Sequence, residues 1–150
     1  MPLETDSETR GARGRDRVRV GIDLVKIARV EESLAKFGER FLRRVFTAGE
    51  IAYATSAASP ALTAERLAAR MAAKEAAVKA LRLAHVGVGW TQIEVLRDPS
   101  GACELLLHGK AREIALAAGV DDLSVSLSHE SDYATAVVVS RVRETENTPS

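Results

Sequence analysis

The chain is short of cysteine, of net charge and of uninterrupted hydrophobic runs, and each shortage removes a class of protein. Its one cysteine, Cys103, cannot close an internal disulfide, and no Cys/His cluster has zinc-ligand spacing. A reducing, cytoplasmic setting is the expectation. Lys and Arg together number 21, as do Asp and Glu, so no global charge excess marks a nucleic-acid or membrane surface. Neither kind of partner is expected. The apolar stretch from Val18 to Val30 is broken by Asp23, Lys26 and Arg29 and follows a mostly polar leader, which makes it a poor signal peptide and no membrane span.

What remains is 150 residues with 46% hydrophobic side chains, enough for one sizeable core and too few for two ordinary domains. Residues 1–17 and 141–150 are polar, mixed in charge and nearly free of apolar side chains. Such segments cannot offset their ordering entropy, so both are expected to be disordered, leaving a domain over 18–140.

Within that domain Val18, Val20, Ile22 and Leu24 alternate with Arg19, Gly21 and Asp23, the period of a strand with one buried face. The valine side is expected to face the core and Asp23 the opposite side. Val30, Leu34, Phe37, Phe41 and Val45 then recur at helical spacing, with Gly38 placed to split the segment in two. Thr47-Ala48-Gly49-Glu50 has capping-box form and predicts a short helix. An alanine-rich helix is predicted from Thr63 to about Leu83, with Leu67, Met71, Val78 and Leu81 as its stripe. Ile93–Leu96 and Cys103–Leu107 flank the turn Asp98-Pro99-Ser100-Gly101 and predict a hairpin. A helix from Lys110 to Ala118 should stop at Gly119, and strands are predicted over Leu123–Leu127 and Tyr133–Ser140. Without regular βαβ alternation the class is α+β, a mainly antiparallel sheet packed on the long helix.

On that helix Glu75 and Lys79 stand four residues apart, one above the other. As a plain surface pair they would contribute only about 0.2–0.5 kcal/mol. Lys74, however, falls inside the apolar stripe, and buried charges need partners. A carboxylate beside a lysine could find them in a metal and a phosphate. Asp23, late in its strand, is placed to reach a cleft, and equally to be a capping or solvated residue. His129 sits where a hydrogen-bonded loop histidine would. Arg29, Lys36, Arg40, Arg43 and Arg44 form a basic stripe that is either a solvated face or a dock for an acidic partner.

In chain order, Gly21-Ile22-Asp23-Leu24-Val25 with Arg29, Ala69-Arg70-Met71-Ala72-Ala73-Lys74-Glu75-Ala76-Ala77-Val78-Lys79-Ala80, and Ser126-Leu127-Ser128-His129 before Tyr133-Ala134-Thr135-Ala136 make a more specific set. Together they resemble the holo-acyl carrier protein synthases, the short group of 4'-phosphopantetheinyl transferases. The resemblance covers roughly residues 18–140. It implies transfer of 4'-phosphopantetheine from coenzyme A to a serine of an apo acyl carrier protein, with release of 3',5'-ADP. It implies Mg2+ held by Asp23 and Glu75, Lys79 against the leaving phosphate, and Glu75 or a metal-bound water as acceptor of the serine proton. Arg70, Lys74 and His129 would serve the coenzyme A site, and Arg29 with the stripe behind it would meet the carrier's acidic helix. It also implies a homotrimer with active sites between subunits.

The chain departs from the family at Met71, commonly Phe or Trp, and at Arg82-Leu83-Ala84-His85, where a Gly-Thr-Gly turn is usual. These residues resist the backbone angles glycine permits, so the helix is expected to run further. Two rivals follow: a coenzyme A or carrier-protein binding module without turnover, and a structural oligomer whose helix charges are interface ion pairs.

Overall fold

A computed structural model describes residues 15–144. Five strands and five helices follow in chain order: β1 (Asp16–Lys26), α1 (Ile27–Phe37), α2 (Glu39–Val45), α3 (Ala48–Thr55), α4 (Pro60–Leu81), β2 (Ile93–Arg97), β3 (Cys103–Leu107), α5 (Gly109–Ala117), β4 (Val120–His129) and β5 (Tyr133–Arg143). A three-stranded antiparallel sheet in the order β1-β5-β4 and a β2-β3 hairpin make the α+β architecture expected from the sequence.

Several local signals act as read. Gly38, at φ 54°, separates α1 from α2. Thr47 and Glu50 close a capping box on α3. Gly119 takes φ 86° just after α5. The long helix starts three residues earlier than expected, because the Ser59 hydroxyl accepts from Leu62 N–H at 3.2 Å and Pro60 suits the first helical turn.

The boundaries of the expected disorder need correction. Asp16 and Arg17 pair with Arg143 and Val142, so β1 and β5 extend each other into segments that looked too polar to order. Strand ladders satisfy backbone groups whatever the side chains, and that is the term composition omits. Residues 1–14 and 145–150 lie outside the described residues.

A second correction concerns β1. The face toward α4 is that of Gly21, Asp23 and Val25, while Val18, Val20, Ile22 and Leu24 are 59–65% exposed. The cause lies in α4. Its alanines Ala64, Ala68, Ala69, Ala72, Ala73, Ala76, Ala77 and Ala80 are all buried, so this helix is enclosed on most sides instead of along one stripe. A helix clad in methyl groups lets backbones approach closely, and at Gly21 only glycine fits: a Cβ there would stand 1.9 Å from the Ala76 carbonyl oxygen. On the outer face Val20 lies opposite Val139 and Ile22 opposite Val137, so the apolar row continues onto β5.

The loop after α4 gives the third correction. The helix ends at Leu81, with Arg82 in the left-handed region at φ 55° and His85 at φ 61°. Leu83 N–H donates to Val78 O at 2.9 Å and Arg82 N–H to Lys79 O at 3.3 Å, the closure of a left-handed helix end. These residues accept the turn that glycine would make more cheaply, with Leu83, 3% exposed, as the anchor.

Candidate active site

The close passage of β1 over α4 sets the site. Two residues past Gly21, on the same face, Asp23 is carried against Lys79 and Glu75. Lys79 Nζ lies 3.1 Å from Asp23 Oδ1 and donates to the Ile22 carbonyl at 2.9 Å. The Thr135 hydroxyl donates to the Asp23 carbonyl at 2.8 Å, fixing the strand at that residue. Asp23 Oδ2 is buried and has no hydrogen-bond donor from the described residues.

The two carboxylates perturb one another. Burial raises the Glu75 pKa, and the neighbouring Asp23 raises it further by hydrogen bond and charge, from the ordinary 4.5 to about 7. Burial pushes Asp23 up as well, but the hydrogen bonds from Glu75 and Lys79 and the Lys79 charge outweigh it, and its pKa ends lowered. Asp23 and Glu75, with Arg29, Ser33, Phe41 and Met71, line a cleft of about 200 Å3.

A hard divalent cation suits this donor set: two carboxylates converge, and one has an oxygen left without a donor. No group of three or more His, Cys, Asp or Glu converges among the described residues. Such an ion would need further oxygen donors beyond these two carboxylates, from a substrate or solvent.

Lys74, read as a coenzyme contact, is placed elsewhere. It is fully buried, 2.7 Å from Glu50 Oε1, and donates to the Trp90 carbonyl at 3.1 Å and to the Ile93 carbonyl. Glu50 in turn accepts from Thr47 N–H at 2.9 Å and Val95 N–H at 3.0 Å. Desolvation lowers the Lys74 pKa while Glu50 opposes the shift. The side chain is a tie between α4, α3 and the start of β2, and it does not reach a cleft.

Arg70 and His129 do share a cavity, of about 520 Å3, walled by α3, α4, the hairpin and β4 and distinct from the carboxylate cleft. His129 Nδ1 is 3.0 Å from Glu65 Oε1. The same cavity holds three residues the sequence reading missed: Tyr53, Arg66 and Arg97. Arg66 and Arg70 stand one turn apart on α4, a spacing visible in the sequence. Arg97 and Tyr53 come from distant elements and left no local signal.

Of the basic stripe, Arg29 lines the carboxylate cleft, whereas Lys36, Arg40, Arg43 and Arg44 are exposed on α1 and α2. Arg43 meets Glu39 at 3.3 Å in an exposed pair that contributes little to stability.

An acidic pair, a lysine and a separate arginine-lined cavity on an α+β scaffold suit a class of protein whose ligands carry phosphate groups. Residues 19–138 match the 4'-phosphopantetheinyl transferase superfamily, so the chain belongs to that family. Its relatives narrow the assignment to the holo-acyl-carrier-protein synthases, and the chain is an enzyme of that kind. A holo-acyl-carrier-protein synthase of Koribacter versatilis is 43% identical over 120 residues, covering 79% of this chain and 94% of that protein. One from Gloeobacter violaceus is 46% identical over 120 residues, covering 80% and 89%. The acyl-carrier-protein synthase of Chronobacterium ammoniagenes, solved in complex with coenzyme A, superposes with a TM-score of 0.73 at 36% identity, covering 85% of this chain and 99% of that one.

Proposed function

We propose that the chain transfers 4'-phosphopantetheine from coenzyme A to a serine of an apo acyl carrier protein in an Mg2+-dependent reaction that releases 3',5'-ADP. The observation that carries this is the buried, donor-free Oδ2 of Asp23 facing Glu75 beside Lys79. Asp23 and Glu75 would hold the ion, which when bound supplies charge stabilisation on the pyrophosphate. The Lys79 ammonium, 57% exposed and tethered by Asp23 and the Ile22 carbonyl, is free to turn a donor toward the leaving phosphate. Glu75 lies beside the bond to be broken in this reading, and its carboxylate would be the acceptor for the serine proton. As the serine oxygen bonds to phosphorus, its proton passes to Glu75 and the pyrophosphate P–O bond breaks toward 3',5'-ADP.

Arg70 and His129 belong to the cavity that suits the nucleotide end of coenzyme A. Arg29, next to the carboxylates, and the exposed Lys36, Arg40, Arg43 and Arg44 suit an acidic face on the carrier, and complementary charge would speed the encounter. The exposed apolar row of β1, continued by the half-buried Val137 and Val139 of β5, supports assembly with further copies, as a homotrimer whose sites are completed by neighbours. The proposed setting is the cytoplasm; no helix among the described residues is long and apolar enough to cross a membrane.

The test is mass spectrometry of apo carrier proteins incubated with the chain, coenzyme A and Mg2+. A phosphopantetheine mass gain is expected, and no gain over a panel of bacterial carriers refutes the activity. A gain undiminished by Glu75→Ala refutes the role of the carboxylate pair. Light scattering of Ile22→Lys should show monomers where the unmodified chain shows trimers.

A further inference from the structure

The apolar row on the outward face of the main sheet stops at a threonine. On β5 the outward positions alternate with the buried Ala134, Ala136 and Val138, and Thr135 follows Val139 and Val137 along that line. Leu24 of β1 lies opposite it on one side and Ser128 of β4 on the other. Valine has the same branched shape and the same fitness for a strand, and it would carry the apolar row one step further. What threonine adds is a hydroxyl, and that hydroxyl donates to the Asp23 carbonyl at 2.8 Å.

Asp23 is a residue whose backbone needs holding. It lies on β1, an edge of the β1-β5-β4 sheet, close to the point where the strand passes directly into α1 at Ile27. Its Oδ1 meets Lys79, but its Oδ2 is buried without a donor among the described residues, so the aim of the carboxylate depends on the main chain that carries it. That main chain is held from two sides. Lys79 donates to the Ile22 carbonyl, one peptide before Asp23, at 2.9 Å, and Thr135 to the carbonyl of Asp23 itself. A carbonyl oxygen can accept more than one hydrogen bond, so the hydroxyl adds to the strand ladder without displacing it. The same end of β5 also anchors the turn that follows, where Ile27 N–H donates to the Asp132 carbonyl at 2.9 Å. Beyond that turn α1 brings Arg29 and Ser33 to the cleft that Asp23 and Glu75 line.

We propose that Thr135 is a positioning residue whose hydroxyl locks the peptide after Asp23 and so aims the Asp23 carboxylate at the place where a divalent cation would sit beside Glu75. This rests on the transferase reading above and adds to it a residue that touches neither substrate nor ion. The hydroxyl is kept at an outward position where a methyl group would serve the fold and the assembly better. Stability and catalysis therefore ask for different side chains at this one residue.

The experiment compares Thr135→Val and Thr135→Ser with the parent, all as the full chain. It measures melting temperature, light scattering, kcat and KM for coenzyme A, and Mn2+ binding read from the electron paramagnetic resonance of the free ion. Thr135→Val should melt and assemble at least as well as the parent, while kcat falls about tenfold at unchanged KM and Mn2+ binds at least about threefold more weakly. Thr135→Ser, which keeps the hydroxyl and loses the methyl, should melt lower yet hold kcat and Mn2+ affinity within about threefold of the parent. A threonine that only supports the fold would move stability and activity together. Parental kcat and Mn2+ binding in Thr135→Val overturn the positioning role and leave the transferase reading standing, as does a Thr135→Ser chain no more active than Thr135→Val. A Thr135→Val chain that unfolds more readily than Thr135→Ser assigns the residue to stability and overturns the role as well. Mn2+ binding that weakens in Thr135→Val and recovers in Thr135→Ser, in a chain that transfers nothing, upholds the role and overturns the transferase reading. A parent that neither binds Mn2+ nor turns over overturns both.

Discussion

Replacing Lys74 with methionine separates a structural lysine from a ligand-binding one. Methionine fills much of the same volume and removes the charge, leaving the buried Glu50 without its cation and the Trp90 and Ile93 carbonyls without their donor. Breaking one side of a buried ion pair costs about 3–5 kcal/mol, chiefly because the surviving charge stays buried alone. At about 2–4 °C per kcal/mol for a chain this size, the melting temperature should fall by roughly 6–20 °C. Glu50 keeps two backbone donors, from Thr47 and Val95, which favours the lower half of that range. Glu50→Gln with Lys74→Met should recover part of the loss, because an amide carries no stranded charge. The assay is thermal and urea denaturation of the parent and both variants, read with the coenzyme A KM measured below the onset of melting. KM should stay within about threefold, since the side chain reaches no cleft. A Lys74→Met chain that melts like the parent but raises KM tenfold or more, roughly 1.4 kcal/mol of lost binding, refutes the structural assignment.

Gly21→Ala should destabilise the fold by at least about 1–3 kcal/mol through the clash with the Ala76 carbonyl, and shift Asp23 enough to lower kcat about a hundredfold; an active, stable variant refutes the packing argument. Arg82→Gly should stabilise by roughly 0.5–1 kcal/mol, because relief of the left-handed backbone exceeds the added freedom of the unfolded chain, and the urea midpoint should rise at constant slope. The raised Glu75 pKa makes the metal-free folded chain bind more protons than the unfolded one between about pH 4.5 and 7, so its stability should decline as pH rises through that window. Glu75→Gln should flatten that decline; an unchanged slope in the variant assigns the proton elsewhere. Asp23, with its pKa lowered, acts in the opposite sense and below this range.

The elements were legible because their signals are local: the Thr47 capping box, Gly38 between two helices, the turn before Cys103, the alanines of α4. What escaped was long-range. Alternation in β1 has the correct period but points to the wrong face, because the close approach to α4 admits only the side that carries Gly21. Asp23, Glu75 and Lys79 lie together in the fold; helix spacing points to the last two and the family resemblance to all three. Tyr53 and Arg97 have no such signal, since their partnership forms only when α3 and the hairpin meet over α4. Lys74 was seen to need a partner, but its identity as Glu50, on another helix, is a tertiary fact.

The face of β1 toward α4 carries Arg19, Gly21, Asp23 and Val25 and the outer face Val18, Val20, Ile22 and Leu24, so hydrophobicity alone would turn the wrong face to the helix. A strand slipped by one position would bury Val20 and Ile22 and turn Asp23 outward. Gly21 forbids it: a slip brings a branched side chain to the point where the Ala76 carbonyl leaves no room for a methyl. The glycine thus acts as a key that admits a single alignment of the strand. In this chain the address of the first of the paired carboxylates is written two residues before it, by the absence of a side chain.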